Sequence, residues 1–66
     1  MSLGSRVRKT RQLRGLTQKE LAGNRLSKSM ISQIENDRVA PSLDTLEYLA
    51  ERLGMPVAAL LDDTAI

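Results

Sequence analysis

Lys28, Ser29, Ser32, Gln33 and Asn36 fall on one side of a helical projection, and Ile31 and Ile34 point to the other. All five carry hydrogen-bonding side chains of modest length, and none is acidic. The chemistry open to such a ridge is hydrogen bonding to base edges in the major groove of duplex DNA. A carboxylate there would face phosphates on both sides. Serine and asparagine are mediocre helix formers, so something other than helix stability favours them at these positions. The plainer alternative is a solvated polar face, but such faces usually include glutamate.

Bond-making chemistry has few means here. The 66 residues include no histidine and no cysteine. That removes the imidazole base, the thiolate nucleophile, the thiolate metal site and the disulfide framework together. An enzyme would have to be built from serine, lysine and carboxylates, in a core too small for a pocket of about 300 Å³. No enzyme activity, cofactor, metal or small-molecule site is expected. One tyrosine is the sole aromatic, which argues against a stacking platform for single strands. No apolar run approaches the roughly 20 residues of a membrane span, and none resembles a secretory segment. A membrane-surface role for the basic first helix lacks the Trp and Phe it would need. By default the chain belongs in the cytoplasm.

The net charge is +2, unevenly spread. Residues 1–38 hold nine Lys/Arg against three Asp/Glu, and residues 39–66 hold one against five. The first half suits a polyanion and the second does not. A solvated basic surface without a partner is the competing reading.

Helices must position the ridge. No period-two alternation occurs, whereas helix starts and stops recur. Five short helices are expected, at approximately 3–14, 18–23, 28–36, 43–53 and 57–62, in an all-α single domain spanning 1–66. Leu3, Val7, Thr10 and Leu13 share a face of the first, with Ser2 or Ser5 as N-cap and Gly15 as stop. Thr17 with Glu20 forms a capping box for the second, which Gly23-Asn24 breaks. Ser27 caps the third, with Met30, Ile31 and Ile34 inward. Pro41-Ser42 opens the fourth, whose apolar stripe is Leu43, Leu46, Leu49, Ala50 and Leu53, ending at Gly54. Pro56 starts the last, with Val57, Leu60 and Leu61 inward. The tail Asp62–Ile66 has no capping logic, as at a cut through a longer regulator. Helices two and three, joined by a short turn, describe a helix-turn-helix.

The runs RQLRGLTQKELA and LSKSMISQIENDRVAPSLDTLEYLAERLGM resemble the phage Cro and lambda-repressor (XRE-like) helix-turn-helix DNA-binding domains. The resemblance covers Leu3 to about Leu61. It rests on G-L-T-Q before helix two, L-S-x-x-x-I-S-x-I-E across helix three and P-S-L-x-T-L before helix four. Two departures stand out. The turn AGNRLS is about one residue shorter than in the family, with its glycine earlier, so the angle between helices two and three does not carry over. Asp37 also stands where the family commonly has glycine. Aspartate tolerates the left-handed region, so a positive φ is expected at Asp37 or Asn36.

The resemblance implies a transcriptional regulator, a repressor by expectation, that binds double-stranded DNA as a homodimer on a palindromic operator. Half-sites would lie about 34–36 Å apart. The last helix and the neighbourhood of Tyr48 are candidate dimer surfaces. Lys28, Ser29, Ser32 and Gln33 are the expected base readers. Thr17, Gln18, Arg25, Asn36 and Arg38 are the expected phosphate contacts, with Thr17 first a cap. Gln18 either meets a phosphate or orients a helix-three side chain; a plain exposed residue is the alternative. Arg6, Arg8, Lys9, Arg14 and Arg25 add a diffuse field. Met30 reads as core filler, with a thymine-methyl contact the minor alternative. Arg11 and Glu35 would form an internal brace between helices one and three, or else an exposed pair of little weight. The rival function is a protein-interaction module, antitoxin-like or coactivator-like, with DNA binding secondary or absent.

Overall fold

A hydroxyl residue precedes four of the five helices and accepts an amide from the first turn. In the computed structural model, which describes residues 2–61, Ser2 caps α1 (Leu3–Leu13) and Thr17 caps α2 (Gln18–Ala22). Ser27 caps α3 (Lys28–Glu35) and Ser42 caps α4 (Leu43–Leu53). A short α5 (Val57–Leu61) follows. The capping box of α2 is complete: Glu20 N–H donates to Thr17 Oγ1 at 3.0 Å, and Thr17 N–H donates to Glu20 Oε1 at 2.8 Å. No strand occurs among the described residues. The expected end of α5 at residue 62 and the reading of the tail lie outside them.

Three helices close themselves in the same way. A left-handed residue follows the helix, and two N–H groups turn back onto its last carbonyls. Gly15 does this for α1 and Gly54 for α4, with φ of 71° and 72°. Asp37 does it for α3 with φ 58°, while Asn36 stays at φ −95°. The N–H groups of Asp37 and Arg38 donate to Ile34 O and Gln33 O at 3.1 and 2.9 Å. The positive φ expected of this pair is thus met at Asp37.

The core gathers Val7, Leu21, Ala22, Ile31, Ile34, Leu49, Ala50, Leu53 and Leu60, with Leu3, Leu16, Leu26, Met55 and Val57 packed against it. α3 lies on α1 and α2, while α4 lies on α2 and α5. Four expected core residues are not in it. Leu13 is 78% exposed, Leu43 63%, Leu61 51% and Met30 38%. The first three are the last residue of α1, the first of α4 and the last of α5. There the apolar stripe runs past the end of its neighbour. Met30 lies on the wheel between the core side and the polar ridge, and the turn into α3 leaves it outside.

Gly4 has a role that helix pattern did not reveal. A Cβ there would fall within contact distance of Ile34 O, Asp37 Oδ1 and Glu35 O, the last at 2.7 Å. The first turn of α1 therefore sits directly on the carbonyl end of α3.

Candidate nucleic-acid interface

α3 presents Lys28, Ser29 and Gln33 to solvent, with Ser32 half-buried beside them. Ile31 and Ile34 anchor the opposite side in the core. The helix is eight residues long, so one buried face and two caps set its direction. Ser32 and Asn36 are not independent. Asn36 Nδ2 donates to Ser32 O at 2.8 Å and reaches Ser32 Oγ at 3.5 Å. The Ser32 hydroxyl proton remains available for a base edge, while Asn36 is partly engaged in ending α3.

The single acidic residue of α3 is removed from this surface. Glu35 is buried, its side chain 2% exposed, against Arg11 at 12%. Arg11 Nε donates to Glu35 Oε2 at 2.6 Å and Nη2 to Oε1 at 3.2 Å. Arg11 Nη1 also donates to Leu16 O at 2.9 Å. Gln18 Nε2 completes the shell with a 3.1 Å bond to Glu35 Oε1. No buried side-chain nitrogen or oxygen among the described residues is left without a partner. α1, α2 and α3 thus meet at one fully satisfied charge. This geometry matches the internal brace and not the exposed surface pair. Gln18 thus uses one amide N–H on Glu35, and the second N–H of the same amide is left for another acceptor.

An open groove of about 590 Å³ runs beside this network, lined by Gly15 to Lys19 together with Arg11 and Lys28. The expectation of a core too small for a pocket of about 300 Å³ concerns the interior, which this groove does not enter. The space is a surface depression between the end of α1 and the starts of α2 and α3, not a cavity in the core. Of its cationic lining residues Arg11 is neutralised by Glu35, so Lys19 and Lys28 give the groove its positive charge.

The other expected contacts are spread more widely. Thr17 Oγ1 is occupied as a cap acceptor, leaving only its proton to offer. Arg38 is exposed just after α3. Arg25, also exposed, stacks its guanidinium 4.9 Å from the Tyr48 ring centre. Arg6 donates to Leu60 O, so its contribution to a diffuse field is tied to α5. Asp37 does not oppose a phosphate as a bare charge. Its carboxylate accepts from Ser2 Oγ at 2.6 Å and Gly4 N–H at 3.0 Å, at the positive end of α1. Tyr48, a candidate dimer residue, is half-buried and bonded within the chain, its hydroxyl donating to Ala22 O at 3.0 Å.

Sequence reasoning missed the seat of Gly4 on α3, and the bonds of Tyr48 and Arg52 to α2, where Tyr48 Oη donates to Ala22 O and Arg52 Nη2 to Glu20 O. A glycine in a first helical turn was the visible signal for Gly4. For Tyr48 and Arg52 there was none, because their partners are backbone carbonyls.

Glu20, at the mouth of α2, is held below the usual glutamate range. The cause is first its hydrogen bonding to Thr17, with the charge of Arg52 adding to it.

A family model described as helix-turn-helix matches residues 7–60. The immunity repressor protein of Bacillus phage phi105 is 42% identical over 100% of this chain and 46% of its own length. The HTH-type transcriptional regulator DdrOP3 of Deinococcus deserti is 43% identical over 94% of this chain and 49% of its own. The chain thus spans about half the length of these curated relatives. Among solved structures, PlcR of Bacillus thuringiensis in complex with the peptide PapR7 and DNA superposes with a TM-score of 0.88. It is 41% identical, over 97% of this chain and 23% of that one. ComR of S. thermophilus, bound to DNA and its signalling peptide ComS, gives a TM-score of 0.91. It is 34% identical, over 98% of this chain and 23% of that one.

Proposed function

Because the chain belongs to the helix-turn-helix family, we propose that it is the sequence-specific DNA-binding domain of a transcription regulator, with α3 in the major groove of double-stranded DNA. The observation that carries this reading is the division of charge on α3. Its one carboxylate is buried and neutralised by Arg11, while Lys28, Ser29, Ser32 and Gln33 stay outward. Lys28 can donate to guanine O6 and N7, and Gln33 can pair with adenine N6 and N7. Phosphates would settle in the cationic groove and near Arg25, Asn36 and Arg38, fixing register without reading sequence.

The names of the two relatives support regulation, and the phage relative supports repression. A homodimer on a palindromic operator in the cytoplasm fits this role, with half-sites about 34–36 Å apart. No catalytic step is assigned to the domain.

Selection of bound duplexes from a random library, followed by fluorescence anisotropy across a salt series, tests the reading. A defined, two-fold symmetric site is expected. If about four phosphates are neutralised, log K falls against log salt with a slope near −3.6. Absence of binding to any duplex at micromolar protein and low salt would overturn it in favour of a protein-interaction module.

A further inference from the structure

We propose that Tyr48 and Arg52 of α4 are positioning residues for α3, acting by closing α2 from outside and holding the shortened turn that leads into α3. The inference rests on the reading of α3 as the base-reading helix.

α1, α3 and α4 each close their own C-terminus through a left-handed residue and two returning N–H groups. α2 does not. Gly23 has φ 59° but ψ −139°, which carries the chain away from the helix axis instead of folding it back. Its N–H donates to Lys19 O at 3.1 Å, and the next return is Leu26 N–H to Ala22 O at 3.2 Å. A helix of five residues has too few internal bonds to hold its own end.

Two further donors come from α4. Tyr48 Oη donates to Ala22 O at 3.0 Å, and Arg52 Nη2 donates to Glu20 O. Tyr48 and Arg52 are four residues apart, so they lie one above the other on the same face of α4. The Arg25 guanidinium covers the Tyr48 ring from the turn itself, 4.9 Å from its centre. Gly23 makes this approach feasible: a Cβ at that position would overlap Tyr48 Oη. The glycine, the tyrosine and the arginine therefore form one device. α3 packs on α1 and α2, whereas α4 packs on α2 and α5. The clamp thus holds the α2 end of the turn from which α3 departs.

The test compares Tyr48→Phe, Arg52→Gln and the conservative Arg52→Lys with the wild type. Amide hydrogen exchange is read at Gly23, Leu26, Val7 and Ile31. Affinity is read for the duplex selected by the wild type and for random duplex, across salt. Loss of one hydrogen bond at the clamp should speed exchange at Leu26 roughly tenfold in Tyr48→Phe while leaving Val7 and Ile31 unchanged. In Tyr48→Phe and in Arg52→Gln the selected duplex should bind roughly tenfold more weakly, with random-duplex affinity and salt slope unchanged, and Arg52→Lys should retain most of the affinity that Arg52→Gln loses.

Three outcomes would overturn the proposal. Leu26 could exchange as in the wild type. All amides could quicken together, which marks a general loss of stability. Both duplexes could weaken equally with a flatter slope, which marks a direct phosphate contact. If the wild type binds no duplex, the DNA reading fails, and the exchange data still decide whether the clamp holds the turn.

Discussion

Asp37 Oδ1 accepts the Gly4 N–H at 3.0 Å, while Asp37 itself occupies the left-handed region at φ 58°. One aspartate therefore ends α3 and begins α1. Its second oxygen takes the Ser2 hydroxyl at 2.6 Å, so the N-cap serine is itself held in place. The family's usual glycine would serve the first task and not the second.

Replacing Asp37 with alanine keeps the unfavourable φ and removes both bonds. Cap losses cost about 1 kcal/mol and the left-handed alanine about 1–2 more. Thermal melts should show a midpoint lowered by roughly 8–24 °C for a domain of this size. Asp37→Asn, which tolerates the same φ and keeps an acceptor, should lose much less.

Gly4→Ala sets two effects against each other. Alanine is better than glycine inside a helix by about 1 kcal/mol. Here the new Cβ meets two backbone carbonyls of α3, which cannot rotate away. Overpacking of this kind costs about 1–3 kcal/mol, so net destabilisation in urea is expected. A stabilised variant would show that α1 does not seat on α3.

Arg11→Ala strands the buried Glu35 with Gln18 as its remaining side-chain partner. Breaking one side of a buried pair costs about 3–5 kcal/mol, a large share of the stability of a 66-residue domain. Calorimetry should find much of the chain unfolded at 37 °C. Replacing both partners, Arg11→Met with Glu35→Leu, should recover most of the loss because no charge is left desolvated.

Glu20 gives a pH dependence whose sign follows from its lowered pKa. Folding stabilises the ionised form through Thr17, so the capping box contributes fully above the ordinary value of 4.5. That contribution fades as pH falls through the lower folded value. Glu20→Gln should flatten the acid limb of a stability-versus-pH curve below about pH 4.5, because the variant lacks the ionised group's contribution at neutral pH and matches the wild type in strong acid.

Lys28 and Arg38 should fail differently. Lys28→Ala should relax base preference at one operator position, at about 1–3 kcal/mol. Arg38→Ala should weaken all duplexes alike and reduce the salt slope by about 0.9. Anisotropy on matched and mismatched duplexes separates the two.

Local chemistry made much of this protein legible as a string. Ser2, Thr17, Ser27 and Ser42 act on amides three residues ahead, and Gly15 and Gly54 act on carbonyls a few residues behind. Such bonds need no distant partner, so the number of helices, their starts and the outward ridge of α3 follow from order and spacing. The bonds that orient that ridge were not legible. Asp37 reaches Gly4 across 33 positions, Tyr48 reaches Ala22 across 26 and Arg52 reaches Glu20 across 32. Most of their partners are backbone groups, which every residue carries, so no side-chain pattern marks them. Burial was likewise decided by neighbours: Met30 and the terminal leucines follow the helical period yet lie where no second helix covers them. Periodicity sets which face is apolar, but only the docked helices determine how far along that face the core extends.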